Sequence, residues 1–191
     1  MVKARDETKI GQIFAATLQL VVEMGIAGIT MRQIAKKARL ATGTLYIYFR
    51  DKDDLIHQLY EDCRNASINA YFKGYDPDLP FKEGFRIIWI NILHFRIENF
   101  DAAVFMEQSY HSPFISESSK EMSRDLLRPL FKLMERGKEA KVVKELDTVL
   151  LLMFMVGSTN DVIKYIKYHQ RKLTDDIIQQ AFTLCWDGLK R

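Results

Sequence analysis

A short stretch in the N-terminal third of the chain combines residue types that contact phosphate groups and nucleotide bases. Thr42, Gly43 and Thr44 begin a predicted short helix, where backbone N–H groups and the positive end of the helix dipole suit a phosphate or a base edge. Gly43 has no side chain and therefore permits a close approach. Tyr46 and Tyr48 follow with hydroxyl groups for phosphates and ring faces for thymine methyl groups, although core packing is the alternative for each ring. The stretch predicts contacts with nucleic acid.

The residues before this stretch predict two helices that position it. Apolar side chains three and four apart across Ile10–Val22 predict an amphipathic helix. Gly25 is expected to end that helix, because glycine adopts the left-handed conformation at little cost, and Gly28 is expected to keep the next residues in a turn. Thr30 is the predicted N-cap of a second helix of two turns, with Gln33 completing a capping box.

The next two predicted helices complete a helix-turn-helix. The third begins near Thr42 and carries Leu45 and Phe49 as core residues, and the fourth begins at Asp51 with Asp54 in its first turn. Two short helices joined by a tight turn and flanked by longer helices form this motif. Isolated helices shorter than about 12 residues are marginal in water, so the two short helices depend on packing between the longer ones.

The distribution of charge fits a protein that binds a polyanion. Residues 1–52 hold nine Lys or Arg against four Asp or Glu, a net charge of +5, whereas the rest of the chain holds 19 against 21, a net charge of −2. Basic side chains release counterions from phosphates, which favours binding to nucleic acid. An ordinary solvated surface is the alternative, because charge asymmetry by itself is common.

The composition predicts a soluble, mostly helical protein. The 191 residues are 48% apolar and 28% charged, with only 9 Gly and 4 Pro, and they suffice for one domain or two small ones. Cys63 and Cys185 form no CxxC pair, so neither a disulfide framework nor a zinc site is expected. The first ten residues are charged rather than apolar, and the longest apolar run, Val149–Val156, is shorter than the roughly 18 residues that span a bilayer. We therefore expect a cytoplasmic protein with no membrane partner.

The segment Thr30–Leu55, with its string Thr-Gly-Thr-Leu-Tyr-x-Tyr-Phe-x-x-Lys, resembles the N-terminal domain of TetR-type transcriptional regulators. The resemblance covers about Ile10–Leu59. It departs from the usual pattern at Arg39, where the family has Gly in the turn, and at Ala41, where the family has a Ser or Thr that caps the third helix. Either Ala41 or Thr42 is then the cap.

This resemblance implies an all-α fold: an N-terminal three-helix helix-turn-helix DNA-binding domain over residues 1–55, and a C-terminal helical ligand-binding and dimerisation domain over residues 56–191. It also implies DNA contacts for both tyrosines and a phosphate contact for Lys52, with Tyr48 and Lys52 exposed on the DNA face. The predicted DNA-binding residues are Thr30, Arg32, Thr42, Gly43, Thr44, Tyr46, Tyr48 and Lys52. The third helix has no Asn or Gln, so these residues predict no operator sequence.

The C-terminal half predicts further helices and a dimer interface. The predicted helices cover Phe81–Asn99, Asp101–His111, about Ser116–Arg136, about Glu145–Gln170 and Thr174–Leu189. The resemblance implies that the last two form a four-helix bundle with a second copy of the chain. The predicted interface residues are Leu150, Met153, Gly157, Asp161, Ile178, Phe182, Cys185 and Trp186. Packing within one chain is the alternative for each of them.

An effector site is expected among the middle helices, because aromatic and Met side chains with a few polar anchors line most small-molecule pockets. The predicted pocket residues are Trp89, His94, Phe105, Met106, Glu107, Tyr110, His111, Met134 and Phe154. His94, Glu107 and His111 are the expected anchors, since unpaired charges are costly to bury. The expected effector is small and apolar or amphipathic, and core packing is the alternative for each residue.

No motif for catalysis, metal binding or cofactor binding is present, since the four histidines form no HExxH and no Gly-rich phosphate loop occurs. The sequence predicts a homodimeric, ligand-responsive regulator, a repressor released from a palindromic double-stranded operator. One alternative is a helical-bundle enzyme or small-molecule carrier without DNA binding, in which residues 10–60 are only structural. Another is an architectural or activating DNA-binding protein without an effector. The charge distribution and the Thr42–Lys52 string favour the repressor over the enzyme or carrier.

Overall fold

The computed structural model describes residues 6–110, 112, 115 and 117–191, excluding the side chains of residues 110, 117–120, 122 and 123. The helices are α1 Glu7–Gly28, α2 Met31–Lys37, α3 Thr42–Tyr48, α4 Lys52–Tyr71, α5 Phe81–Glu98, α6 Phe100–Tyr110, α7 Glu117–Glu139, α8 Thr148–Tyr168 and α9 Asp175–Leu189. The only β-type pairing in these residues is an isolated antiparallel bridge between Val143 and Lys190. The predicted all-α fold is confirmed, and the predicted helix bounds in the C-terminal half agree to within a few residues.

The chain forms two compact units. The N-terminal unit comprises Met1–Arg64 and Asn99–Ser123, and the C-terminal unit comprises Asn65–Glu98 and Arg124–Arg191. The N-terminal unit therefore holds α1 to α3, most of α4, and α6. The C-terminal unit holds α5, α8 and α9. The functional division at residues 55 and 56 stays a prediction.

The regular part of α1 ends at Gly25, as predicted, and a short helical turn continues the element to Gly28. Gly25 has φ 74° and ψ 160°, a conformation that is essentially restricted to glycine. The kink frees the backbone N–H of Ile26, which donates to the side-chain oxygen of Gln108 on α6 at 3.2 Å. Gly28 lies inside the last turn of α1 and not in the predicted loop. A contact from α6 thus stabilises the bent end of α1.

Capping interactions position the short helices. The predicted capping box at α2 is confirmed: the backbone N–H of Gln33 donates to the Thr30 hydroxyl at 3.3 Å, and the backbone N–H of Thr30 donates to Gln33 Oε1 at 2.8 Å. Helix α3 has Ala41 at its N-cap and no side-chain cap, so the alternative in which Thr42 caps is wrong. The turn between them contains Arg39 at φ 58°, a left-handed conformation that costs a non-glycine residue about 1–2 kcal/mol.

The C-terminal unit has an aromatic core between α5 and α9. The Phe85 and Trp186 rings lie 5.7 Å apart, and Trp89 meets Phe182 edge-on at the same distance. The indole N–H of Trp89 donates to the Ser158 hydroxyl on α8 at 2.9 Å, which satisfies its buried polar atom. These contacts bring α5, α8 and α9 together around one core.

Two helices, α1 and α8, are long and apolar enough to cross a membrane by length and composition alone, which the count of consecutive apolar residues did not predict. The core helix of a soluble protein and a signal sequence meet the same criterion. In this fold α1 packs against α6 within the N-terminal unit, and α8 packs against α5 within the C-terminal unit. Part of the apolar surface of each helix is thereby covered by its own chain.

Candidate nucleic-acid interface

The inner face of α3 fixes this helix to the N-terminal unit. Leu45 and Phe49 are buried, as predicted, and the Phe49 ring lies 5.8 Å from that of Phe14 on α1. Helix α3 is only seven residues long, so this packing, rather than helix propensity, holds it in place. The opposite face of the helix is therefore presented on a rigid support.

The outer face of α3 carries Gly43, Tyr46 and Ile47. Tyr46 is 55% exposed and Ile47 is 74% exposed. A Cβ added at Gly43 would meet no atom within 4 Å, so the fold itself does not require glycine there. Ile47 was missed in the sequence, although its position gives a signal: it lies two residues after the buried Leu45, which is about 200° around a helix of 3.6 residues per turn.

The N-terminus of α3 has no side-chain cap. Ala41 occupies the N-cap position, and its carbonyl accepts from the backbone N–H of Thr44 at 2.9 Å. The N–H groups of Thr42 and Gly43 precede the first intrahelical hydrogen bond and so have no acceptor within the helix. Gly43 is exposed, whereas Thr42 and Thr44 are half-buried. This end of the helix can donate to an anionic oxygen.

Tyr48 and Lys52 are half-buried, which corrects the expectation that both are exposed. The Tyr48 ring packs 6.4 Å from the Phe49 ring. The Lys52 ammonium donates to the carbonyl of Ala27 at 3.3 Å, where the end of α1 leaves carbonyl groups unpaired. Lys52 thus ties the start of α4 to the end of α1.

The turn between α3 and α4 is closed by two carboxylates. The backbone N–H of Asp54 donates to Asp51 Oδ1 at 2.8 Å, and that of Arg50 donates to Asp54 Oδ2 at 2.9 Å, which confirms the predicted start of α4. Burial by itself raises the pKa of Asp54, but the hydrogen bonds from the Arg50 N–H and the Gln58 amide outweigh it and hold that pKa below its ordinary value. Asp54 therefore stays ionised at neutral pH and keeps the turn closed.

The surface around α2 and α3 is strongly basic. Residues 30–52 contain six Lys or Arg and one Asp. The ion pairs of these cations include Lys37 with Glu23 at 2.8 Å and Arg50 with Asp54 at 3.7 Å. The exposed cations that lack an ion pair to any described residue are Arg32, Lys36 and Arg39. Thr30 and Arg32 are exposed at the start of α2, as a contact with a DNA backbone requires.

The residues predicted for an effector pocket are divided between the two units. Trp89, Phe105, Met106 and Met134 are buried, whereas His94, Glu107 and Phe154 are exposed. Phe105, Met106 and Glu107 belong to the N-terminal unit, and the other four belong to the C-terminal unit. The Tyr110 side chain and His111 lie outside the described residues. His94 and Glu107 are exposed, so the cost of burying a charge gives no reason to place them in a pocket. The pocket stays a prediction.

The residues predicted for a dimer interface fall into two groups. On α8, Leu150, Met153 and Asp161 are exposed and Gly157 is half-buried. The predicted residues on α9 are buried inside their own unit: Ile178, Phe182, Cys185 and Trp186. Phe182 and Trp186 belong to the aromatic core. The exposed apolar residue of α9 is Leu184, at 75%, which was not predicted.

Comparison with known proteins places this geometry in a family. Residues 13–59 match the family model for bacterial regulatory proteins of the tetR family, and residues 65–191 match the model for the tetracyclin repressor-like C-terminal domain. An uncharacterised helix-turn-helix transcriptional regulator of Haemophilus influenzae is 26% identical over 94% of this chain and 95% of its own. The fatty acid metabolism regulator protein of Bacillus subtilis is 22% identical over 81% of each chain.

A solved structure shares the whole fold. The TetR-family transcription regulator from Marinobacter aquaeolei superposes with a TM-score of 0.89 over 97% of both chains, at 24% identity. These matches give no support to a helical-bundle enzyme or carrier without DNA binding. The two family models together match most of the chain, and the helix-turn-helix geometry agrees with them. The chain therefore belongs to the TetR family of helix-turn-helix transcriptional regulators.

Proposed function

We propose that this regulator is a homodimeric repressor that binds a palindromic operator through α3 and is released from it by a small apolar or amphipathic effector. The proposal that the protein binds DNA rests on the difference between the two faces of α3. Its inner face is buried against α1, and its outer face presents Gly43, Tyr46 and Ile47 beside exposed cations without ion pairs. A rigid helix with such an outer face suits a DNA groove.

Each predicted DNA-binding residue has a proposed role. The N–H groups at Thr42 and Gly43 hydrogen-bond a phosphate, with the Thr44 hydroxyl beside them. Tyr46 and Ile47 contact base edges and thymine methyl groups, and the Tyr48 hydroxyl contacts the sugar-phosphate backbone of the DNA. The residues proposed for phosphate contacts from the flanking helices are Thr30, Arg32, Lys36, Arg39 and Lys52.

The proposed dimer interface is the outer face of α8, defined here as Val149, Leu150, Met153 and Phe154, together with Leu184 on α9. All five side chains are about half or more exposed in the single chain. Contiguous apolar surface of this kind marks interaction sites in soluble proteins. A two-fold dimer would present two copies of α3 to half-sites one helical turn apart, or a multiple of it.

The apolar effector is supported by the composition of the middle helices and by one relative. The Bacillus subtilis relative is named for fatty acid metabolism, a pathway whose intermediates are apolar chains with a polar end. An effector releases DNA only by binding more tightly to the conformation that does not bind DNA. A cytoplasmic location is proposed to go with this role.

Salt-dependent binding tests the DNA-binding part. Wild-type protein is titrated onto the duplex upstream of its own gene and onto a random duplex, at several salt concentrations. Lys36→Gln is expected to lower the salt slope by about one, because it removes one cation from a phosphate. Lys172→Gln removes the same charge from an exposed position in the C-terminal unit and is the matched control. A wild-type affinity that does not change with salt would refute DNA binding.

Sedimentation tests the dimer. Wild-type protein is expected to sediment as a dimer at micromolar concentration, and Met153→Glu is expected to shift it to a monomer by placing a charge in an apolar contact. Gln12→Glu adds the same charge to an exposed position of α1 and is expected to leave the dimer intact. A wild-type monomer, or a Met153→Glu dimer as tight as wild type, would contradict the proposed interface.

A further inference from the structure

Arg96, in the C-terminal unit, is a buried cation that forms no ion pair with any described carboxylate. It lies in the last turn of α5 and is only 7% exposed. One guanidinium nitrogen, Nη1, donates to the side-chain oxygen of Asn160 on α8. Its Nε is buried and has no hydrogen-bond partner among the residues that the structure describes. No carboxylate among the described residues forms an ion pair with it.

Within the described part of the chain, no negative side chain balances the charge of Arg96. A guanidinium group carries a positive charge that is spread over its three nitrogens. Asn160 is neutral, and the carbonyl end of α5 supplies only about half an elementary negative charge. Burial of an ion is unfavourable unless a partner of opposite charge and hydrogen bonds compensate the loss of hydration. A bound anion would provide both.

Buried apolar residues flank Arg96 and Asn160 along their own helices. Ile92 and Leu93 lie one turn before it on α5 and are fully buried, and Ile163 lies one turn after Asn160 on α8 and is also buried. Such surroundings strengthen the attraction between a cation and an anion. They also suit a hydrocarbon chain attached to that anion. The expected ligand therefore has an apolar body and one anionic end.

We propose that Arg96 and Asn160 bind the anionic group, carboxylate or phosphate, of the effector. The guanidinium fork donates from Nε and an Nη nitrogen to two oxygens in parallel, the geometry that carboxylates and phosphates accept. The Asn160 amide keeps its oxygen on Arg96 and donates its N–H to the same anion. This inference rests on the proposed function, because it names the chemical class of the effector.

Two substitutions test the charge of Arg96, and a third serves as their control. Arg96→Gln removes the cation. Asn160→Asp places a carboxylate where an oxygen already accepts from Arg96, and so supplies a built-in counter-charge. Arg86→Gln removes an exposed arginine from the same helix and is the matched control. If Arg96→Gln fails to fold, Asn160→Asp still tests the proposal, since it keeps the arginine and changes only its counter-charge.

Thermal unfolding is measured with octanoate, octyl phosphate, octanol and octyltrimethylammonium. For wild type and Arg86→Gln, one or both anions are expected to raise the Tm and to bind at least roughly tenfold more tightly than octanol, the effect of a hydrogen bond to a charged group. The difference between octanoate and octyl phosphate identifies which headgroup is preferred. Asn160→Asp is expected to raise the Tm without ligand and to abolish the response to anions, and Arg96→Gln is expected to abolish that response as well.

Equal binding of octanol and both anions by wild type would overturn the proposal, as would an undiminished anion response in Arg96→Gln or Asn160→Asp. The same proteins are titrated onto DNA without ligand. A wild-type protein that does not bind DNA would refute the proposed function, whereas normal DNA binding with no preference for anions would refute the Arg96 site alone.

Discussion

Replacing Gly43 with Ala should make the protein more stable and make its DNA binding weaker. Both Gly43 and Gly11 lie in helices, are exposed, and have no atom within 4 Å of an added Cβ. Neither has a positive φ. Glycine in a helix is less favourable than alanine by about 0.5–1 kcal/mol. Each substitution should therefore raise the free energy of unfolding by up to that amount and the Tm by about 1–4 °C.

The two variants should differ in their affinity for DNA. Hydrogen bonds from the α3 N-terminus need about 2.9 Å between nitrogen and phosphate oxygen, whereas a methyl carbon needs about 3.5–4.0 Å from its nearest neighbour. The methyl group of Gly43→Ala would hold the helix away from the backbone. Removing one charged hydrogen bond costs about 1.5–3 kcal/mol, or roughly a tenfold to hundredfold change in Kd for each half-site. Gly11 lies on α1, away from α3 in sequence, so the Gly11→Ala protein should bind DNA as tightly as wild type.

Urea denaturation measures the first effect, and fluorescence anisotropy with the duplex upstream of the gene measures the second. A Gly43→Ala protein that binds as tightly as Gly11→Ala would refute the close approach at α3. A Gly43→Ala protein that is less stable than wild type would refute the open space around Gly43. Comparing the two variants distinguishes these outcomes, because only Gly43→Ala is expected to raise stability and lower DNA affinity together.

Three further predictions concern stability and reactivity. Ala41→Ser should raise the free energy of unfolding by about 1 kcal/mol, because it supplies the missing cap of α3, and an unchanged urea midpoint would show that the cap is already satisfied. Tyr71→Phe should be neutral or stabilise by up to about 1 kcal/mol, since it removes a buried hydroxyl that has no hydrogen-bond partner among the described residues; a clear drop in Tm would mean that this hydroxyl is bonded. Burial raises the pKa of the Cys63 thiol to about 12, so iodoacetamide at pH 8 should label it only after unfolding, and rapid labelling of native protein would contradict its burial.

Local patterns predicted the helix-turn-helix well because its determinants are close in sequence. The α2 capping box needs only Thr30 and Gln33, and the start of α4 needs only Asp51 and Asp54. The short helical turn after Gly25, which extends α1 to Gly28, could not be predicted in this way. It depends on Gln108, 82 residues after Ile26, which accepts the N–H freed by the kink.

The faces of α9 were harder to assign than its bounds. The N-cap Thr174 marks its start, and its side chain accepts from the backbone N–H of Ile177. Apolar residues occur on both sides of the helix, so periodicity alone does not say which side packs within the chain. Aromatic contacts with α5 decide it: Phe182 turns inward and Leu184 outward. The outward direction of Ile47 on α3 similarly follows from the burial of its neighbours.

The packing of α6 on α1 has a consequence for synthesis of the protein. The N-terminal unit is discontinuous, because residues 99–123 belong to it although α5 precedes them in the chain. The α1 face that includes Ile13 and Leu20 is buried in a unit to which Ala103 and Phe105 of α6 also contribute. At roughly 5–20 residues per second, the ribosome needs a few seconds to travel from Arg64 to Tyr110. During that interval the nascent helix-turn-helix lacks α6, and a fragment truncated after α4 would be left with the same uncovered apolar surface, prone to aggregation and to chaperone capture.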